Sequence, residues 1–550
     1  MNGPYGRVGV SSLPIFLGGV PCGGWESFMV VNALHRKLKG FSRTVVLAAV
    51  VAAPWLFASA DPWAYLLVCM TVTAGVAAWL LSFFGDPRPE VRVPALVCAL
   101  LALLAFLCVQ MAPMPNGIVK AVSPISADAE MKRVELFRKI GATEFLASDA
   151  TLRSSSLRST RPVDDARPLA ISASSAGTRR SLYLLVAYVG VFLVMGNVFA
   201  EWSQLRKAAN VIAISSFIMV VIALMHKLSG ADGILWFYTP RFGGSIFGPF
   251  TNRDHFALHM NMAFGLTLGL LLAASRASEI RMLHTWRERI AWLSSGKASQ
   301  VALLGFAAML MGAAVCLTLS RGGITSLAAS LGIVGTLVGL RSGVPSRGRV
   351  IIAVVLLIGS AVVWLGWQPV MERLGSLFDV ARDPMKDTRA IAALDTLRMF
   401  WAFPVLGCGF GSYQHVFPIF QSPSIQVGRF WHAHNDYAQL LAEGGLVGTL
   451  LFGVAVGIFL RTLWKRLPAA TTRGGLMAGG LAVGIIAVAL HSFVDYGLHK
   501  PANGFLFATL CGMSLSAVYL RHSGNHKRTR DSHHHERVRT HQQRVGAIEA

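Results

Sequence analysis

Residues 301–340 read VALLGFAAMLMGAAVCLTL, then SRG, then GITSLAASLGIVGTLVGL. Two apolar blocks flank a short polar break, and each block is close to the ~20 residues that a helix needs to cross hydrocarbon. The break places Ser320, Arg321 and Gly322 where two such helices would turn back on each other. Neither block alternates polar with apolar residues, so a strand of a transmembrane barrel is excluded. This stretch fixes the class of the fold, and the rest of the chain repeats it.

Ten further apolar segments join this pair in a set of twelve expected spans: 44–60, 63–84, 93–114, 181–199, 209–225, 255–274, 301–319, 322–340, 350–367, 436–460, 475–495 and 503–520. Pro54 interrupts the first of them. Composition agrees: 54% of the 550 residues are hydrophobic and 14% charged, with a mean hydropathy of +0.54. The expectation is an all-α polytopic membrane protein with about twelve transmembrane helices in residues 44–520. A tail at 1–43, a basic tail at 521–550 and two long loops, 115–180 and 368–435, complete the chain. The loop 368–435, between the ninth and tenth spans, carries helical periodicity from Arg389 to Phe403, then a Gly407-x-Gly409-x-Gly411 turn cluster. No strand precedes that glycine run, which argues against a nucleotide site. In the loop 115–180, Val134, Phe137 and Ile140 share one face of an expected interfacial helix, and Ser154–Ser175 reads as linker.

Lys and Arg set the orientation. With the N-terminus inside, each short inward connection is basic: Arg36 to Arg43, Arg88 and Arg92, Arg206 and Lys207, Arg276 to Lys297, Arg341 to Arg349, and Arg461 to Arg473. Both termini are therefore expected in the cytoplasm of a cell inner membrane, with both long loops in the periplasm. The net charge of +23 sits in these juxtamembrane segments and in the tail Arg521–Arg544. Anionic lipid headgroups account for it, and a nucleic-acid partner is not expected. Of the seven cysteines, five lie in apolar blocks, Cys22 in the N-terminal tail and Cys408 alone in an outward loop, so no disulfide framework is expected.

On this topology four polar clusters fall on the outward face. They are Arg241 with Asn252, Arg253, Asp254 and His255; Ser320, Arg321, Gly322 and Gly323; His432, His434, Asn435 and Asp436; and His491, Asp495, Tyr496, His499, Lys500 and Asn503. Each has a plainer reading. Arg321 at a helix end reads as a snorkelling side chain, and Asn435 or Asp436 as a helix cap. His255 and His259 have metal-compatible i,i+4 spacing but lack the glutamate of His-Glu-x-x-His; no metal and no cofactor is expected. Together, arginines beside a histidine suit one task. Guanidinium groups bind phosphate oxygens bidentately and stabilise charge on a departing diphosphate, while a neutral imidazole takes the proton of an attacking hydroxyl.

His434-Asn435, nine residues, then Gly445-x-x-Gly448 resembles the signature of the O-antigen ligase and polysaccharide polymerase superfamily. Phe403-Pro404-x-Leu406-Gly407-x-Gly409-x-Gly411 and Ser320-Arg321-Gly322 agree with it. Thr251-Asn252-Arg253-Asp254-His255 and His491-Ser492-x-x-Asp495 resemble its exopolysaccharide-polymerase-like branch. The resemblance covers about 236–510. It implies a GT-C-like fold and metal-independent transfer of a glycan from a polyprenyl-diphosphate-linked donor. The acceptor would be a glycan, a lipid A-core or a protein. By position, His434, Arg321 and Arg241 would be catalytic. Arg253, Asn252, Asn435, His491 and Asp495 would bind substrate. Membrane lipids are expected partners, and a chain-length regulator or flippase is a compatible one. The reading is polymerisation of repeat units in exopolysaccharide or O-antigen synthesis, with ligase or protein O-oligosaccharyltransferase as the near alternatives. A polysaccharide-lipid flippase or transporter is the distant alternative. It would require mid-membrane ionisable groups in both halves and repeat symmetry, and the sequence has neither.

Overall fold

A computed structural model of the chain describes residues 23–85, 91–122, 169–230, 233–239, 244–277, 294–342, 387–423, 425, 430–467 and 472–520, with scattered residues between 285 and 291 and between 355 and 375. Among them are twelve principal helices: α1 (Gly23–Ala52), α2 (Pro62–Leu81), α3 (Pro94–Met111), α4 (Ser175–Asn197), α5 (Trp202–Ser229), α6 (Arg253–Ala277), α7 (Gly296–Leu317), α8 (Arg321–Ser342), α9 (Thr388–Ala402), α10 (Asp436–Arg466), α11 (Arg473–His491) and α12 (Pro501–Tyr519). No strand is present among the described residues, and nine of their helices (α2 to α7 and α10 to α12) are long and apolar enough to span a membrane.

Three expected spans need separate comment. The block 44–60 is the end of α1 followed by a turn at Pro54 and a short 3-10 segment, Phe57–Ser59, with left-handed backbone. Proline removes the N–H donor and stops the helix there, while α1 itself starts at Gly23, well inside the expected tail. The block 322–340 is α8. The block 350–367 falls mostly outside the described residues, as do the expected interfacial helix with Val134, Phe137 and Ile140 and the basic C-terminal tail.

The bundle is built round α6, which is buried over almost its whole length. It packs most extensively on α11; a Cβ at Gly265 would lie 2.5 Å from the Gly484 nitrogen, so the two backbones touch. Without water, close packing of small residues is what holds membrane helices together. Asn261 in α6 is paired across this interior, donating to Gly323 O (3.0 Å) and Ser326 Oγ (3.1 Å) of α8. By contrast α10 turns Leu446, Leu450 and Val454 outward, which an apolar solvent on that side would favour.

The glycine run is a splice. Helix α10 breaks at Gly445 (φ +61°, ψ −166°), which frees backbone groups on both sides of the break. Cys408 and Gly409 N–H donate to Ala442 O (3.0 Å) and Glu443 O (3.1 Å), and Leu446 and Val447 N–H donate to Pro404 O (2.8 Å) and Val405 O (3.1 Å). Gly407, Gly409 and Gly411 all have positive φ, and a Cβ on Gly407 would run into the Glu443 carbonyl. Gln110 of α3 completes the joint, donating to Leu406 O (2.7 Å) and Glu443 O (3.0 Å). The break's carbonyls at Ala442 and Glu443 and its N–H groups at Leu446 and Val447 thus find partners, as burial demands. The splice locks the segment containing α9 onto the top of α10. Behind it, Ile391, Met399, Phe400, Tyr413 and Phe417 form a small separate core.

The two ends of the bundle differ in charge. At the end where α3 begins and α4, α10 and α12 finish, Arg92 donates to Gly196 O (2.6 Å), and Arg92 and Arg466 both lie over the Tyr519 ring. The polar clusters sit at the other end.

Candidate functional site

The starts of α6, α8, α9, α10 and α12 and the end of α11 converge on Asp495. This carboxylate lies in the turn between α11 and α12 and is 1% exposed. His434 Nδ1 is 3.3 Å from Oδ1; His255 Nε2 and His491 Nε2 are 3.5 and 3.9 Å from Oδ2. None of these approaches is aligned well enough to be a full hydrogen bond. The carboxylate is therefore surrounded rather than clamped. Burial opposes its charge, but His255, His434, His491 and Arg389 outweigh that and hold its carboxyl well below the usual range.

Local sequence explains how each group arrives. His434 has left-handed backbone (φ +52°), a conformation that costs a non-glycine residue energy and recurs at functional sites. It is fixed from both sides. Asn435 caps α10, accepting from Tyr437 N (3.1 Å) and Ala438 N (3.0 Å), so the capping interpretation of Asn435 holds. Upstream, Gln439 accepts from Ala433 N (3.1 Å) and bonds His432 Nδ1 (3.2 Å). The His434 side chain is 18% exposed, and with Nδ1 towards Asp495 its Nε2 is the nitrogen left for a substrate.

Arg321 opens α8 two residues after the left-handed Leu319. Gly322 and Gly323 let this helix end enter the bundle: a Cβ on Gly322 would be 2.9 Å from His491 Nε2, and one on Gly323 2.6 Å from Ala257 Cβ. Arg321 Nη2 reaches Asp387 Oδ2 at 3.1 Å, and Asp387 also caps α9 by accepting from Arg389 N at 2.9 Å. Two residues on, Arg389 Nη2 pairs with Asp254 Oδ2 at 2.8 Å. Burial disfavours the Arg389 cation, but Asp254, Asp495 and Asp387 more than compensate and raise its proton affinity.

Tyr496 is the wedge between histidines. Its ring lies 4.6 Å from His434, edge to face, 4.8 Å from His255, and stacked on His432 at 4.6 Å. Asn503 ties α6 to α12, donating to His255 O and Gly497 O (both 3.1 Å) while its Oδ1 lies 3.0 Å from His259 Nδ1. His259 is thereby engaged away from His255, and among the described residues no three His, Cys, Asp or Glu side chains are arranged to hold a metal ion.

Of the site residues expected from sequence, His434, His491, Asp495 and Arg321 come together with Asn435 as their cap. Asn252 shapes the turn into α6, accepting from Asp254 N at 2.8 Å. Arg253 is held there by its N–H to Ser245 O (2.8 Å), and its charge acts on Lys227. Arg241 lies outside the described residues. Sequence reasoning missed Arg389, Asp387 and the hub role of Asp254 and His255. The signal was Asp387-Thr388-Arg389 opening a helical periodicity, which by itself reads as an ordinary cap.

Fold and site define a multi-pass, all-helical membrane protein with a buried polar centre at one end of its bundle. Residues 306–453 match the family model described as O-antigen ligase, and this region thus carries the domain of the O-antigen ligase and polymerase superfamily. Such proteins are membrane enzymes of surface polysaccharide biosynthesis that act on lipid-linked glycans. The matched segment contains Arg321, Arg389 and His434, whereas Asp254, His255, His491 and Asp495 come from outside it. No curated protein matches the chain.

Proposed function

We propose that the protein is a glycosyltransferase which polymerises repeat units carried on a polyprenyl diphosphate, at the periplasmic face of the inner membrane and without a metal. The observation that carries this reading is the meeting of His434 and Asp495 beside two arginines, Arg321 and Arg389. In the reaction the acceptor oxygen attacks the anomeric carbon of the donor while His434 Nε2 takes its proton. The bond from that carbon to the diphosphate oxygen breaks, and its electron pair stays on the diphosphate. Asp495 keeps the His434 Nδ1 proton in place and stabilises the imidazolium as it forms. Arg321 and Arg389, pre-placed in a poorly solvated setting, take the charge growing on the diphosphate; its oxygens exchange with the carboxylates of Asp387 and Asp254. Arg241 joins them on the strength of the resemblance, and His491 lines the acceptor side with Asn252 and Arg253 at the rim.

The test replaces Arg321 and His434 separately with Ala at matched membrane abundance and profiles the surface polysaccharide. Loss of polymer with accumulation of single lipid-linked repeat units is expected. Full-length unligated chains would point instead to a ligase, unglycosylated secreted protein to a protein O-oligosaccharyltransferase, and an unchanged glycan would reject the assignment.

A further inference from the structure

A second group of basic residues, Lys500, Arg180 and His499, is left unused by the chemistry above. Lys500 precedes Pro501 at the start of α12. Its Nζ lies 5.8 Å from the Tyr496 ring centroid, and among the described residues no carboxylate is within ion-pair distance. Arg180, near the start of α4, lies over the Tyr65 ring at 4.7 Å, and among the described residues it likewise has no carboxylate partner. The His499 ring lies 4.3 Å from that of His432, tilted against it, with Nε2 3.4 Å from Asp436 Oδ1. Among the described residues Asp436 is the acid in contact with this group, and its other oxygen accepts from Ser492 Oγ at 2.8 Å.

The fold forces these cations together. Helices α4 and α12 run parallel in fixed register, with Tyr188 against Gly504 and Gly196 against Gly512. Lys500 is one turn and Arg180 two turns beyond the Tyr188–Gly504 contact, at the same end of the bundle. Their charges act on one another. Burial first, then the Lys500 and Arg180 charges, lower the proton affinity of His499 to a pKa of about 4. Burial and Arg180 lower that of Lys500 although Asp495 opposes them. Like charges held together in a partly dry place are costly unless an anion joins them.

We propose that Lys500, Arg180 and His499 form a second anion site, which takes the diphosphate of a lipid-linked acceptor. This rests on the polymerase reading. There, donor and acceptor both carry a diphosphate, so one molecule needs two such sites flanking one base. Tyr496 separates them: Arg321 and Arg389 serve the donor on the His434 and His255 side, and Lys500 and Arg180 hold the acceptor on the His432 and His499 side. Arg180 is exposed to receive an anion, and Lys500 is half-buried behind it.

The experiment uses the full chain in nanodiscs of zwitterionic lipid and counts bound short-chain polyprenyl diphosphate by native mass spectrometry. Two molecules per chain are expected for the unmodified protein, one for Arg321→Gln/Arg389→Gln and one for Arg180→Gln/Lys500→Gln. Each pair of changes should weaken its own site roughly tenfold or more, since each removes charge-assisted hydrogen bonds. Arg180→Gln alone, at an exposed position, gives the same direction if the double variant is poorly produced, and Lys500→Arg should retain both molecules. Inorganic pyrophosphate should compete at the second site. Two molecules still bound to Arg180→Gln/Lys500→Gln overturns the inference, as does displacement of the second molecule by an equal amount of phosphatidylglycerol, which would mark a lipid-headgroup site. If Arg321→Gln/Arg389→Gln loses nothing, the donor assignment fails instead. No binding to the unmodified protein overturns both.

Discussion

Replacing Asp495 with Asn tests the centre of the proposed chemistry at nearly constant volume. When His434 takes a proton it becomes a cation 3.3 Å from the Asp495 carboxylate. At an effective dielectric of about 20, that contact is worth about 5 kcal/mol. Screening at the exposed side of His434 lowers this to roughly 3–4 kcal/mol, or about 10²–10³ in rate. Asn keeps a dipole but not the charge, so turnover should fall by roughly that factor, within the range general-base catalysis supplies. Folding should change little, because losing the attraction also removes the cost of burying a carboxylate. The assay is polymer formation by purified protein at equal amount, with thermal unfolding in detergent as the control. His434→Ala should cost at least as much, and His434→Ala/Asp495→Asn no more than His434→Ala, since the two act as a unit. Turnover of Asp495→Asn within threefold of the unmodified protein would refute the reasoning. So would a double variant whose losses multiply.

Two further outcomes test the frame around the site. Gly445→Ala puts a side chain where φ is +61° and drives its Cβ against Val405 O and Gly407 N; backbone strain alone costs about 1–3 kcal/mol, and membrane abundance should drop sharply, whereas Gly453→Ala, with open space around it, should be neutral. Acid should loosen the turn between α11 and α12. Burial and nearby cations hold His432 and His499 below the ordinary histidine value, His499 at about 4. Both are therefore neutral when folded but protonate when unfolded from about pH 6.5 downwards. Their contribution is fully present above that pH and is lost as pH falls towards 4. Hydrogen exchange over 492–500 should accelerate across that window, and less so in His499→Gln.

The fold class was legible because crossing hydrocarbon imposes length and composition on each segment separately. Nine of the twelve expected spans reappear as helices able to cross, and α8 reappears as a helix. The site was partly legible. Arg321, His434 and Asp495 stood out because charged groups beside apolar blocks are expensive and therefore conspicuous. Arg389 and Asp387 did not, since a polar residue in a polar loop carries no such cost and only its neighbours give it meaning. The Gly407–Gly411 run read as a turn cluster; its role in repairing a broken helix depends on carbonyls of Ala442 and Glu443 more than thirty residues later in the chain.

The sequence by itself therefore determined that this is a bundle of membrane helices with polar groups at helix ends, because the bilayer acts on each helix alone. Tertiary structure decided that Asp495 is the hub of three imidazoles and that Arg389 joins Arg321. It also brought Arg180 near enough for its charge to act on Lys500. Those relations arise from packing between helices far apart in the chain, where distance in space is set by small residues meeting across α6, α8, α11 and α12 and not by spacing along the chain.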